Sequence, residues 1–146
     1  MPTVKSVLRT IFIDTVFVIA QINLRDQHHA RAMELTKSCA GARFVITDAV
    51  LIEIANGLAR NFKRQAIQII DFLLSSKDVL VVHLTPAIFE AALALYKSHE
   101  DKQWGLTDCI SFVVMRQVGI EEALTFDQHF VQAGFKALMR NPEQPA

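Results

Sequence analysis

The sequence has no excess of charge of either sign. Fifteen lysine and arginine residues balance fifteen aspartate and glutamate residues over 146 positions, so the formal net charge is zero. A simple nucleic-acid-binding domain usually carries a basic excess that attracts the phosphate backbone. Net charge alone therefore argues against a protein that holds RNA or DNA by bulk electrostatics.

Cysteine is also scarce. Cys39 and Cys109 are the two cysteines, and they form neither a CxxC pair nor a Cys/His zinc pattern. A disulfide-stapled secreted scaffold is excluded, and two buried thiols in a reducing compartment are favoured. The five histidines show no HExxH spacing, which gives a zinc site little support.

Long apolar runs and several common catalytic motifs are missing. The longest uncharged run, residues 79–89, is well short of the roughly 20 residues that span a bilayer. Asp14 interrupts the first apolar run and no small-residue cleavage site follows it, which argues against a secretory signal. No Gly-rich phosphate loop or GxSxG elbow is present, as P-loop enzymes and α/β-hydrolases require. We therefore expect a cytoplasmic protein with no membrane segment.

What the sequence does contain is enough apolar material for one full core, since 51% of its residues are hydrophobic. We predict one domain over residues 1–140 and a flexible tail over residues 141–146. Short β-branched runs predict buried strands at residues 10–13, 44–47, 79–83 and 123–126. Amphipathic or apolar stretches predict helices at residues 28–39, 48–60, 65–74, 86–99 and 107–118. This alternation predicts an α/β fold with a mostly parallel sheet covered on both faces.

Four acidic residues lie at or near the carboxyl ends of these strands. Asp14 follows the first predicted strand and Asp127 follows the last one. Glu53 lies in the helix that follows the second strand, and Asp108 begins the helix that precedes the last strand. Each also has a local explanation. Asp14 and Asp108 suit helix caps, Glu53 falls on a polar helix face, and Asp127 suits a turn.

These acids are expected to converge, because ligands of open α/β sheets bind beyond the carboxyl ends of the strands. Four convergent carboxylates cannot all stay ionised without cations, and Mg²⁺ or Mn²⁺ suits oxygen ligands. Two such ions can activate water and stabilise the leaving oxygen of a phosphodiester. Without the four acids, the sequence has fifteen basic and eleven acidic residues, which gives the remainder a net charge of +4. Neutrality therefore does not exclude RNA.

Five short motifs resemble those of one known family. They are FIDT at residues 12–15, RDQHH at 25–29, VLIE at 50–53, DKQWGLTDCIS at 101–111 and LTFDQHF at 124–130. In this order they resemble the PIN-domain nucleases, especially the VapC-like toxins, over about residues 11–139. The resemblance implies a three-layer α/β/α fold and a Mg²⁺- or Mn²⁺-dependent endoribonuclease.

The resemblance also implies residue roles and partners. Asp14, Glu53, Asp108 and Asp127 would be the catalytic and metal-binding quartet, and Thr15 would support a metal-bound water or the phosphate. Gly105 departs from the family, which often has serine there. The RNA substrate would be tRNA, rRNA or mRNA, and the implied protein partners are a small antitoxin and a second copy in a homodimer.

Two further features suggest RNA contacts. Arg60, Lys63 and Arg64 form a basic cluster that suits a phosphate backbone, although a solvated helix junction is the plainer explanation. Trp104 precedes Asp108 and suits base stacking, although packing at a helix start is the favoured explanation.

Two other functions remain open at this stage. One is a PIN-like domain that no longer cleaves and instead binds RNA or a protein, which the Gly105 departure and the neutral charge would fit. A phosphate-accepting receiver or a phosphatase fits less well, because no DxDxT pattern is present.

Overall fold

Five short parallel strands form the central sheet of the computed structural model, which describes residues 8–140. They are β1 (Thr10–Ile13), β2 (Arg43–Thr47), β3 (Val79–Val82), β4 (Glu122–Leu124) and β5 (Lys136–Ala137). Their order across the sheet is β3-β2-β1-β4-β5, and every neighbouring pair is parallel. The predicted α/β class with a parallel sheet is confirmed.

Seven helices connect and flank these strands. They are α1 (Thr15–Ile22), α2 (His29–Ser38), α3 (Asp48–Leu58), α4 (Lys63–Ser75), α5 (Pro86–Ser98), α6 (Leu106–Val118) and α7 (Gln128–Gln132). Helix α1 packs on α2 and α3, α3 packs on α4, and α5 packs on α6. Right-handed crossovers put α1 to α4 on one face of the sheet and α5 and α6 on the other. The result is the expected three-layer arrangement.

Local sequence signals explain where several helices begin. The hydroxyls of Thr47 and Thr85 accept hydrogen bonds from Val50 N and Ile88 N, which caps α3 and α5. Pro86 occupies the first turn of α5, where its missing N–H removes no helical hydrogen bond. The predicted helices match the observed ones to within two residues at each end.

The strands agree less uniformly with the prediction. Strand β3 lies at one edge of the sheet and Leu80 is 55% exposed, so the expectation of a fully buried strand there is wrong. The two-residue strand β5 and the five-residue helix α7 were not predicted, because such short elements leave no periodic pattern. The expected flexible tail, residues 141–146, lies outside the described residues.

The sheet order reverses direction at β1, which pairs with β2 on one side and with β4 on the other. Ile13 is the register partner of Leu124, so the next residues, Asp14 and Thr125, lie side by side beyond the strand ends. This switch point is where an open α/β sheet leaves a crevice for a ligand. Within residues 8–140, no helix is long and apolar enough to cross a membrane.

Candidate active site

An open cleft of about 450 Å³ lies beyond the carboxyl ends of β1 and β4. Its walls bring together all four predicted acids and Thr15. The complete lining is Asp14, Thr15, Val16, Glu53, Asn56, Asp108 and Asp127. The structure therefore gathers at one site residues that are as far as 113 positions apart in the sequence.

Asp14 is the most deeply buried of the four acids, with 5% of its surface exposed. It occupies the position before α1 but its carboxylate makes no capping hydrogen bond, so the cap explanation does not account for its side chain. Instead, the Thr125 hydroxyl donates to Asp14 Oδ2 at 2.8 Å. Burial raises the pKa of Asp14 to about 7, the Thr125 hydrogen bond opposes that rise, and the charges of Asp108 and Asp127 add to it.

Asp108 serves the start of α6 and the cleft at once. Its Oδ2 accepts a hydrogen bond from the backbone N–H of Gly105 at 3.1 Å, which caps the helix as the sequence suggested. Burial is the main cause that raises the pKa of Asp108; the Gly105 hydrogen bond lowers it and the Asp127 charge raises it. Asp108 therefore both caps α6 and lines the cleft.

Gly105 contributes to this arrangement through its backbone alone. Its φ of −77° is open to any residue, and an added Cβ would meet only Asp108 Oδ2 at 3.8 Å. The absence of the family serine thus leaves the position of Asp108 intact.

Asp127 lines the cleft, and His129 lies directly beside it. Asp127 Oδ1 accepts a hydrogen bond from the backbone N–H of His129 at 2.9 Å and caps α7. The His129 Nδ1 atom lies 3.1 Å from Asp108 Oδ2 and 3.2 Å from Asp127 Oδ1. One imidazole nitrogen therefore contacts both carboxylates.

Glu53 reaches the cleft from the polar face of α3. The side chain of Glu53 is exposed, as the helical pattern predicted. The helix face that carries it also forms part of the cleft wall. The Thr15 hydroxyl donates to Glu53 Oε1 at 2.8 Å and so links the start of α1 to α3. Asn56 lies one helical turn further on the same face.

Three polar residues in the cleft or directly beside it were not predicted from the sequence. Thr125 is fully buried and also accepts a hydrogen bond from Asp127 N at 3.1 Å, so it joins two of the acids. The spacing of the histidines pointed to no site for His129, although its position two residues after Asp127 was a usable signal. Asn56 follows Glu53 by three residues and therefore lies on the same face of α3, and this spacing was the available signal.

The proposed RNA-contacting residues lie outside the cleft lining. Arg60, Lys63 and Arg64 are all exposed, after the end of α3 and at the start of α4. Among residues 8–140 no salt bridge engages any of the three. Their charges are therefore available to an external anion.

Trp104 is placed differently from the prediction. It is 6% exposed, its Nε1 donates to Gln132 Oε1 at 3.0 Å, and its ring stacks on His99 and meets Phe112 edge-on. A ring enclosed in this way offers no face to a base, so the predicted base-stacking role of Trp104 is contradicted. Its packing at the start of α6 is the correct explanation.

The donor set of the cleft suits a hard divalent cation. Carboxylate oxygens are the ligands that Mg²⁺ and Mn²⁺ prefer, and here four carboxylates from four segments face one space. The negative charges of Asp108 and Asp127 each raise the pKa of Asp14, which shows mutual repulsion that a cation would relieve. Asp108, Asp127 and His129 also offer ligand atoms that all lie within 4.8 Å of one another.

Comparisons with known proteins point to one family. The PIN domain family matches residues 11–136. The chain is 33% identical over 125 residues to the 23S rRNA-specific endonuclease VapC20 of Mycobacterium tuberculosis, covering 86% of this chain and 95% of that protein. The crystal structure of that VapC20, described as a Sarcin-Ricin loop cleaving toxin, superposes with a TM-score of 0.79. A VapC ribonuclease of Aquifex aeolicus is 27% identical over 100 residues, covering 67% of this chain and 71% of that protein.

Proposed function

The chain belongs to the PIN-domain family, in its VapC-like branch, and on that basis we propose that it is the endoribonuclease toxin of a type II toxin–antitoxin pair. The observation that carries this proposal is the convergence of four carboxylates in one cleft at the switch point of the sheet. Phosphodiester hydrolysis needs positive charge beside the scissile phosphate, and an acid-lined cleft recruits that charge as divalent metal.

Asp14, Glu53, Asp108 and Asp127 would hold Mg²⁺ or Mn²⁺ in this cleft. The ion would supply positive charge for the phosphate and make water acidic enough to act as a nucleophile near neutral pH. Neutralisation by the ion also favours the ionised form of Asp14, whose pKa is about 7 without it.

The chain's own residues orient these carboxylates before the substrate arrives. Thr125 directs Asp14 Oδ2, Thr15 directs Glu53 Oε1, and the Gly105 N–H directs Asp108 Oδ2. Each hydrogen bond limits the rotation of a carboxylate, so less ordering is left for the metal and the RNA to impose. The Thr15 hydroxyl lies on the cleft surface, where it can also contact the phosphate.

The exposed cations would extend the site along the RNA. Arg60 lies two residues beyond the end of α3, the helix that carries Glu53. With Lys63 and Arg64 it would bind backbone phosphates next to the one in the cleft. These contacts would supply affinity without sequence preference, because phosphates carry no base information.

The substrate and the protein partners follow from the branch of the family. A relative at 33% identity is specific for 23S rRNA, so we propose rRNA as the first substrate to test, before tRNA and mRNA. A small cognate antitoxin and a second copy of the chain are the proposed partners, and the cytoplasm is the proposed location. Exposed large apolar side chains, among them Leu24, Phe72 and Leu80, would be available to such interfaces.

A binding module without activity has less support. All four acids are present and face one cleft, and the Gly105 departure leaves the position of Asp108 intact. The neutral net charge also has another explanation, since the four acids offset a basic remainder of +4.

A cleavage assay on 23S rRNA and tRNA tests the proposal. The wild type should cleave with Mg²⁺ or Mn²⁺ and stop with EDTA, and Asp14→Asn or Asp108→Asn should lose activity by roughly 100-fold or more. Asp71→Asn, an exposed acid of α4, is the matched control and should cleave normally. Undiminished cleavage by the Asp14→Asn/Asp108→Asn double variant, or by the wild type in EDTA, would refute the metal-dependent mechanism.

A further inference from the structure

One side chain beside the cleft contacts two of the four acids without belonging to the acidic quartet. His129 lies in α7 with about 20% of its side chain exposed, and its Nδ1 is within 3.2 Å of carboxylate oxygens of Asp108 and Asp127. Its own backbone N–H already donates to Asp127 Oδ1. The short helix therefore holds the imidazole in place beside both acids.

The spacing of these three side chains matches a metal's coordination shell. The ligand atoms of Asp108, Asp127 and His129 all lie within 4.8 Å of one another, and the two nitrogen–oxygen distances are 3.1 and 3.2 Å. Adjacent ligands of an octahedral ion with bonds of about 2.1 Å are separated by about 3 Å. Only one proton can sit on Nδ1, so one hydrogen bond cannot satisfy both carboxylates fully, whereas one cation can contact all three atoms.

We propose that His129 is a direct ligand, through Nδ1, of the ion that Asp108 and Asp127 hold, and that this cleft takes a first-row transition ion such as Mn²⁺ in preference to Mg²⁺. This inference rests on the proposed metal-dependent function and deepens it. Mg²⁺ favours oxygen ligands and gives up water reluctantly, whereas first-row transition ions accept imidazole nitrogen readily. Replacing one oxygen position by nitrogen therefore shifts the selectivity of the site.

No other histidine of the described chain competes for this role. His83 pairs with Asp48 beyond β3, and His99 stacks on Trp104. His28 stacks on Phe126 and the Nδ1 of His29 contacts the Ala20 carbonyl. A nitrogen signal from a histidine on a bound ion would thus identify His129.

The decisive experiment is pulsed electron paramagnetic resonance of Mn²⁺ bound to the intact wild-type protein. We expect a ¹⁴N coupling from one imidazole that changes to a ¹⁵N coupling when the protein is labelled with [¹⁵N]histidine. This measurement needs no variant, so it does not depend on the folding of one.

Calorimetric titration with Mn²⁺ and Mg²⁺ gives an independent measure. His129→Ala should weaken Mn²⁺ binding by about 10-fold or more and Mg²⁺ binding much less. His83→Ala is the matched control and should leave both affinities unchanged, while circular dichroism checks that each variant is folded.

The outcomes separate this inference from the proposed function. Mn²⁺ bound without any histidine coupling, with equal weakening of both ions by His129→Ala, would overturn the ligand assignment and leave the ribonuclease proposal standing. A wild type that binds neither ion in the presence or absence of RNA would overturn both.

Discussion

Replacing Asp14 with asparagine is expected to remove a pH dependence of stability that this buried carboxyl creates in the metal-free protein. Burial raises the pKa of Asp14 from 3.8 to about 7, so between these values the folded state holds a proton that the unfolded state releases. The stabilisation is therefore complete below pH 3.8 and is lost as the pH rises through 7. Asparagine has a similar shape, and its side-chain oxygen can still accept the Thr125 hydrogen bond.

The size of the effect follows from the two pKa values. Proton linkage with a folded value of about 7 and an unfolded value of 3.8 gives a loss of about 2–3 kcal/mol between pH 5 and pH 8. That loss is a large share of a domain's usual 5–15 kcal/mol of stability. The Asp14→Asn variant lacks this contribution, so its stability should fall less over the same interval.

Urea unfolding in EDTA at several pH values between 5 and 8 measures the difference directly. The wild type should lose about 2–3 kcal/mol more than Asp14→Asn, and Asp71→Asn should follow the wild type. Adding Mn²⁺ should flatten the wild-type profile, because the ion favours the ionised carboxylate. Parallel profiles for the wild type and Asp14→Asn in EDTA would show that the burial argument is wrong.

Three further variants test other parts of the site and its surroundings. Thr125→Val should destabilise the fold by about 1–3 kcal/mol in urea unfolding and reduce RNA cleavage, because Asp14 is deprived of a buried hydrogen bond; equal behaviour of Thr125→Val and Thr125→Ser would contradict this. Gly105→Ser should leave melting temperature and cleavage near wild type, since its Cβ meets nothing closer than 3.8 Å; a large drop in either would disprove it. Arg60→Gln with Arg64→Gln should weaken RNA binding and lower the salt slope by about 0.7 for each phosphate that the variant no longer neutralises, and an unchanged slope would remove these residues from the interface.

Much of the fold is readable from local patterns. The run at residues 10–13 is β1 to the residue, and the predicted helix at residues 86–99 ends one position beyond the observed α5. Such elements are predictable because side-chain periodicity and helix caps act over a few neighbouring residues. Helix α7 is too short to show any period, which is why it and the placement of His129 went unrecognised.

The site residues likewise include some that local patterns predict and some that only packing explains. Asp14 and Asp127 were predictable because residues that follow parallel strands meet at one edge of the sheet. Glu53 was ambiguous, since its helical pattern shows a polar face but not what that face meets. Because α3 packs on α1, the polar face of α3 becomes a wall of the cleft. The Thr15 hydroxyl there donates a hydrogen bond to Glu53.

The sequence by itself determined the α/β class, most element boundaries and the selection of the four acids. These depend on hydrophobic periodicity and on the order of the elements along the chain. Only the tertiary structure decided that Trp104 is enclosed, that β3 lies at an edge, and that Thr125 and His129 join the acids. The physical reason is that these outcomes depend on contacts between residues far apart in sequence. Thr125 meets Asp14 across 111 positions, and no local pattern records that meeting.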